Sequence, residues 1–150
     1  VENLGYSLAD VDKLVNKESG LLGVSGLSND CRTLENAMQN DNHAQATLAL
    51  TVFCYRIAKK IASYSASLTQ LDGLIFTGGI GENSSWIRTE IVKQLSLLNF
   101  HLDEEKNQLT RFGVSGNIAT KNSRACWVIA TNEEWVIAEQ SALLLSKVVQ

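Results

Sequence analysis

Residues 74–88 read LIFTGGIGENSSWIR, in which an apolar run leads into two adjacent glycines and then into an amphipathic segment. The run is part of residues 71–77, a short apolar stretch next to glycines, which predicts a buried β-strand. Apolar side chains at helical spacing predict a helix over residues 84–98. The chain therefore passes from strand to helix through a glycine-rich turn, as α/β folds do.

This glycine-rich turn has the chemistry of a ligand-binding loop, because glycine lets backbone N–H groups approach a phosphate or a ribose closely. Its spacing differs from two common loops: Gly79, Gly81 and Ser84 give G-x-G-x-x-S, and no Gly-Lys pair follows. Glu82 would repel a polyphosphate placed on the turn, so the turn suits the adenosine, ribose or α-phosphate of a nucleotide better. From the residues alone, a nucleotide loop and a plain strand–helix turn both remain open.

A second strand end, IATNEEW at residues 129–135, has the same organisation. The apolar residues 126–130 predict a buried strand, and the pattern over residues 132–149 predicts an amphipathic helix that opens with two carboxylates. Acidic residues in a first helical turn are stabilised by the helix dipole. A carboxylate at the end of a strand can also bind Mg²⁺, directly or through water. Both interpretations remain open.

The first third of the chain predicts helices. An S-x-x-D capping pattern at Ser7 predicts a helix that ends near Gly20. The glycine-rich residues 19–30 predict a loop, after which Ser28 or Asn29 is expected to cap a short helix.

A long helix is predicted over residues 41–68, and residues 103–124 are the most loop-like stretch of the chain. One apolar stripe of the helix is expected to face a sheet, and a second stripe widens it. The first stripe is Leu50, Phe53, Ile57, Ile61, Tyr64 and Leu68, and the second is Leu48, Val52 and Tyr55. The order of elements is α/β with at least two strands, too few for an independent sheet, so we expect further strands before Val1 in a longer chain.

Composition excludes several classes of protein. A chain of 150 residues is long enough for one domain with a core, and a net charge of −3 with scattered basic residues indicates neither nucleic-acid nor membrane binding. Three widely spaced cysteines and two histidines argue against a disulfide framework and against a zinc site. Cys31, Cys54 and Cys126 are therefore expected to be reduced core residues of a cytoplasmic protein.

Three stretches, taken together, resemble the C-terminal domain of the acetate kinase family. They are NKESGLLGVSGLSNDCRTLE (residues 16–35), FTGGIGEN (residues 76–83) and ATNEEWVIA (residues 130–138). The resemblance implies a partial ribonuclease-H-like domain of the acetate and sugar kinase, Hsc70 and actin superfamily. It also implies an ATP- and Mg²⁺-dependent enzyme that transfers the γ-phosphoryl group reversibly to a short carboxylate such as acetate or propionate.

The resemblance also implies site residues. The adenine-nucleotide loop is carried over to Gly79, Ile80, Gly81, Glu82 and Asn83, the second nucleotide segment to Asp30, Cys31 and Arg32, and the Mg²⁺-associated glutamate to Glu133. Three positions depart from the family pattern: Cys31 replaces a larger apolar residue, Ala130 replaces proline and Trp135 replaces leucine. Neither Ala130 nor Trp135 removes a ligand, although the turn before Glu133 is expected to be looser without proline.

Residues 1–150 contain neither a second glycine-rich phosphate loop nor an Arg–His cluster. We therefore expect one partial domain that supplies the nucleotide side of the site, with no catalytic residue of its own and with the N-terminal catalytic half upstream. The family resemblance further implies a homodimer that forms through C-terminal domains. The alternatives are a non-catalytic nucleotide-binding or dimerisation module and a structural oligomerisation domain.

Overall fold

The computed structural model describes residues 5–148, without the side chains of Glu133, Lys147 and Val148. Its strands are short and its helices dominate. The helices are α1 (Leu8–Lys13), α2 (Gly20–Ser25), α3 (Cys31–Asp41), α4 (Ala44–Ser65), α5 (Gly78–Asn83), α6 (Ser85–Lys93), α7 (Glu104–Leu109) and α8 (Glu133–Val148), and the strands are β1 (Gly73–Phe76), β2 (Gly116–Asn117) and β3 (Ala125–Val128). A π-helical turn, Leu14–Glu18, continues α1, and a 3₁₀ turn, Ser96–Leu98, follows α6.

The three strands form one sheet in the order β1–β3–β2. Strands β1 and β3 are parallel, with Leu74 opposite Cys126, and β2 is antiparallel to β3. Because β1 and β3 are parallel, their carboxyl ends lie at the same edge of the sheet. The segments that follow them, α5 and the turn before α8, therefore begin side by side.

The core lies between one face of this sheet and helices α3, α4 and α6. The fully buried side chains on the sheet, α3 and α6 are mostly large. Several of the buried side chains on α4 are small, so the neighbouring helices approach α4 closely. Among the most buried are Leu34, Leu50, Cys54, Ile87, Phe100, Ile118, Cys126 and Val128.

The prediction of two fully buried strands is wrong. Ile75 and Trp127 are paired in register, and their side chains are 58% and 44% exposed. Phe76 and Val128 point to the covered face and are buried. The sheet is therefore covered on one face in the described part of the chain, and its other face presents apolar side chains to solvent.

The predicted stripe on α4 is correct in part. Phe53, Ile57 and Ile61 pack against the core, but Tyr64 and Leu68 are exposed, and α4 ends at Ser65, before Leu68. All three residues of the second stripe are also exposed: Leu48, Val52 and Tyr55. Small residues replace them on the buried face, namely Ala46, Ala49, Cys54 and Ala58. The periodicity was helical, but small buried side chains carry little apolar signal.

Two predicted loops contain regular structure. Helix α2 lies within residues 19–30 and ends where Gly26 adopts a φ of 65°. Helix α3 is capped by Asp30, whose side chain accepts the Arg32 N–H, and neither Ser28 nor Asn29 is the cap. Residues 103–124, predicted as a loop, contain α7 and β2. The Ser7 cap is confirmed, since Ser7 and Asp10 form a reciprocal capping box.

Candidate functional site

The segment after β1 folds as α5, a short helix that begins with two glycines. Gly78 adopts a φ of 73°, a conformation that side chains rarely tolerate, and this bend turns the chain from the strand into the helix. A Cβ at Gly79 would meet no atom within 4 Å, whereas a Cβ at Gly81 would lie 3.5 Å from Phe76. Gly79 therefore faces open space, and Gly81 packs against the strand.

Glu82 joins the two strand ends. Its Oε1 accepts hydrogen bonds from the Gly78 N–H (2.8 Å), the Thr131 N–H (2.9 Å) and the Thr131 hydroxyl (2.7 Å). Glu82 as a residue is 8% exposed, and these hydrogen bonds, led by that of the Thr131 hydroxyl, lower the pKa of its carboxyl group. Glu82 thus holds α5 against the turn that follows β3.

Asn83 joins α5 to the turn that follows α7. Its Nδ2 donates to the Gly79 carbonyl (2.9 Å), and its Oδ1 accepts the Phe112 N–H (2.9 Å). The amide therefore fixes the curvature of α5 and, at the same time, the position of the turn after α7. Neither the turn nor this contact was predicted.

Below these contacts lies Arg88, whose side chain is completely buried. All five of its N–H bonds are used, with donor–acceptor distances of 2.7–2.9 Å. The acceptors are the carbonyls of Gly81, Glu82, Asn107 and Thr110 and the side-chain oxygen of Asn107. Burial, with a smaller effect from Arg111, lowers the pKa of Arg88 to about 10, so the guanidinium stays charged at neutral pH. Arg88 clamps α5 to α7.

The N-terminus of α3 forms the opposite side of the site. Asp30 accepts the Arg32 N–H (2.7 Å) and also pairs with the Arg32 guanidinium (2.8 Å). These two hydrogen bonds, the side-chain one first, lower the pKa of Asp30 to about 2. Cys31 is buried, and burial followed by the Asp30 and Glu35 charges raises the pKa of its thiol, which is therefore neutral and a poor nucleophile.

These segments enclose a cavity of about 790 Å³. Six of the eight predicted nucleotide residues line it: Asp30, Cys31, Arg32, Gly79, Ile80 and Asn83. Gly81 and Glu82 are not on its wall, because Gly81 faces the strand and Glu82 bonds to the backbone. The other lining residues were not predicted as site residues: Asn29, Glu35, Asn36, Gln39, Ser84, Arg111 and Phe112. For the wall formed by Arg111 and Phe112, the one sequence signal was a phenylalanine within the polar residues 103–124.

The predicted metal residue, Glu133, is the first residue of α8, and its side chain lies outside the described residues. Within the described part of the chain, no group of three or more His, Cys, Asp or Glu side chains could hold a metal ion. The neighbouring Asn132 side chain accepts the Trp135 N–H (3.0 Å) and so shapes the first turn of α8. In the same described part, no helix is long and apolar enough to cross a membrane.

Comparison with known proteins gives one consistent result. The family described as "Acetokinase family" matches residues 1–139. The acetate kinase of Shewanella sp. (strain ANA-3) is 55% identical over 147 residues, which are 98% of this chain and 37% of that relative. The acetate kinase of Shewanella woodyi is 53% identical over 145 residues. The chain therefore spans little more than a third of the length of these relatives.

Solved structures agree with the sequence comparison. The acetate kinase of Porphyromonas gingivalis superposes with a TM-score of 0.82 at 36% identity, over 96% of this chain and 36% of that one. The propionate kinase of Francisella tularensis gives a TM-score of 0.79 at 42% identity, over 89% of this chain and 33% of that one.

Proposed function

Because the chain belongs to the acetokinase family, we propose that it is the nucleotide-binding portion of an acetate kinase. The complete enzyme would transfer the γ-phosphoryl group of ATP reversibly to a short-chain carboxylate, giving an acyl phosphate and ADP. The observation that carries this proposal is the cavity of about 790 Å³, which six predicted nucleotide residues line. Its size is in the range of small-molecule sites.

The cavity fits the adenosine side of ATP. Ile80 and Cys31 supply apolar wall, Gly79 leaves room for close approach of a ligand to the backbone, and the Asp30–Arg32 pair lies at the rim. Glu82 lies off the wall and acts indirectly, because it holds α5 in place together with Asn83, which also lines the cavity. The residues that neutralise the transferred phosphoryl group are assigned to the rest of the enzyme, so no residue of this chain is proposed to be catalytic.

Mg²⁺ is proposed to bind through Glu133. The residue is the first of α8, a short turn after the carboxyl end of β3 and near the edge of the sheet where α5 also begins. A carboxylate there is the hard oxygen ligand that Mg²⁺ prefers, and the ion neutralises phosphate charge when bound. A Glu133→Ala variant should raise the Mg²⁺ concentration needed for activity, and unchanged kinetics at limiting Mg²⁺ would remove Glu133 from the site.

We also propose a cytoplasmic homodimer. The three cysteines are buried and free, as expected in a reducing compartment. Leu48, Val52 and Tyr55 form an exposed apolar stripe on α4, a type of surface that marks protein interfaces.

The activity is tested on the complete gene product with a hydroxamate assay for acyl phosphate, using acetate, propionate and butyrate with ATP and Mg²⁺. Product with at least one of these carboxylates supports the proposal. ATP binding without acyl phosphate from any of them would instead indicate a non-catalytic nucleotide-binding module.

A further inference from the structure

The turn after α7 forms a wall of the nucleotide cavity that the family resemblance did not indicate. Arg111 and Phe112 line this cavity together with Ile80 and Asn83. The Phe112 side chain is 77% exposed, although it is one of the largest apolar side chains in the chain. Most of its ring surface is therefore available to a ligand.

The backbone of this turn is strained at the aromatic residue. Phe112 adopts a φ of 53°, and the following Gly113 a φ of 87°. Bulky residues rarely adopt this left-handed conformation, and such outliers cluster at ligand clamps and active sites, where the surrounding structure imposes them. A glycine at position 112 would adopt the same turn without strain, so the conformation of the turn does not require a large side chain at this position.

The surrounding structure does impose this conformation. The Phe112 N–H donates to the Asn83 Oδ1 (2.9 Å), and the Val114 N–H donates to the Arg111 carbonyl (3.2 Å). Arg88 binds the Thr110 carbonyl just before the turn as well as two carbonyls of α5. The turn and α5 are thus held to each other, and Phe112 has a fixed place relative to Ile80.

We propose that Phe112 is a further nucleotide-binding residue, whose ring stacks on the purine base, while Asn83 acts as its positioning residue. This inference rests on the proposed nucleotide function. Bases stack well on exposed aromatic side chains, and Ile80 supplies the other apolar wall of the cavity. The Arg111 guanidinium carbon lies 5.1 Å from the centre of the Phe112 ring, close enough for a cation–π contact that steadies the ring.

The test is calorimetric titration of Mg·ATP into the complete gene product and its variants. Phe112→Ala should weaken ATP binding about 5- to 150-fold, as expected for loss of one base-stacking contact. Phe112→Tyr keeps the aromatic face and should bind ATP within about twofold of the wild type. The same holds for Leu97→Ala, which removes another highly exposed apolar side chain away from the cavity. Affinity for CTP, whose smaller base stacks less, should fall less than affinity for ATP in Phe112→Ala.

Phe112→Gly separates a binding role from a structural one. It removes the ring and relieves the strained φ, so the melting temperature should stay equal or rise while ATP affinity falls as in Phe112→Ala. A fall in melting temperature with unchanged ATP affinity would overturn the inference, as would equal losses in Phe112→Ala and Phe112→Tyr. If the wild type binds ATP and Phe112→Ala binds it equally well, only this inference fails. If the wild type binds no ATP, the proposed function fails with it.

Discussion

Arg88 is the residue on which the geometry of the candidate site depends most. Its guanidinium is buried without a carboxylate partner among the described residues and instead satisfies backbone carbonyls on both α5 and α7. Arg88→Met would leave these buried acceptors without donors, at about 1–3 kcal/mol for each group. We expect a loss of several kcal/mol in the free energy of unfolding, measured by urea denaturation of the complete protein.

The conservative variant sharpens this prediction. Arg88→Lys keeps the charge but cannot reproduce the planar fork of donors, so it should destabilise the protein nearly as much as Arg88→Met. Arg32→Met is the matched control, because the Arg32 side chain is 83% exposed and its loss should change stability by less than about 0.5 kcal/mol. Full stability of Arg88→Lys would show that the charge matters and the hydrogen-bond geometry does not.

Glu82 should make stability depend on pH. Its pKa in the folded protein is lowered below the ordinary glutamate value of 4.5, chiefly by the Thr131 hydroxyl. A lowered folded pKa contributes stability that is present above the unfolded pKa and is lost as the pH falls through the folded value. The measurement is the melting temperature of the wild type and of Glu82→Gln at a series of pH values.

Glu82→Gln keeps an oxygen acceptor but removes the charge, so its melting temperature should lie below that of the wild type above about pH 5. The two should converge as the pH falls below the folded pKa of Glu82. Glu105→Gln is the matched control, since Glu105 is exposed on α7 and its substitution should change the melting temperature little. A gap between the wild type and Glu82→Gln that does not close in acid would assign the effect to hydrogen-bond geometry.

At the scale of the element, the sequence predicted the long amphipathic helices better than the short glycine-rich ones. Residues 41–68 and 84–98 were predicted as helices from periodicity, and α4 and α6 lie within those bounds. Helices α2 and α5 were missed because glycine has a low helix propensity. Tertiary contacts hold α5 instead: the Glu82, Asn83 and Arg88 hydrogen bonds connect it to segments that are distant in sequence.

The candidate site was predictable to a similar extent. Motif resemblance located the α3 and α5 walls, since both are contiguous in sequence. It could not locate Arg88, which reads as one charged residue in an amphipathic helix until the fold buries it. Nor could it locate the Arg111–Phe112 turn, which is held at the cavity by tertiary contacts such as that with Asn83, 29 residues away.

The first two glycines of α5 should respond in opposite ways to alanine. Gly78→Ala puts a side chain on a residue with a φ of 73°, which should destabilise the protein by about 1–2 kcal/mol. Gly79→Ala meets no atom within 4 Å and raises helix propensity, so stability should be unchanged or higher. Its methyl group would project where the cavity lies, so Gly79→Ala, and more strongly Gly79→Val, should weaken ATP binding.

Urea denaturation and ATP titration of the same three variants separate these effects. Loss of ATP binding in Gly79→Val with normal stability supports a ligand at this wall. Unaltered ATP binding in Gly79→Val would mean that the nucleotide lies elsewhere, and α5 would then be only a structural turn.

At the scale of the whole molecule, the chain has the fold predicted for it, a partial domain of the kind found in acetate kinases. Its exposed apolar surfaces follow from that fold. The uncovered face of the sheet carries Ile75 and Trp127, and the described side chains of α8 are all exposed. In a sheet with parallel strands both faces are normally covered. We therefore propose that these surfaces pack against other parts of the complete protein and that the separate α4 stripe forms the contact of the proposed homodimer.

The proposed homodimer can be tested on that stripe. Leu48, Val52 and Tyr55 lie on one face of α4 and are 49%, 37% and 49% exposed. Charged residues there should oppose burial at an interface, because apolar burial contributes about 25 cal/mol per Å² and an unpaired charge is costly to desolvate.

We expect the Leu48→Glu/Tyr55→Glu double variant of the complete protein to sediment as a monomer at concentrations where the wild type sediments as a dimer. Leu97→Glu, at a residue that is 99% exposed outside α4, should leave the dimer intact. A dimer that persists in the double variant, with normal folding, would place the protomer contact on another surface.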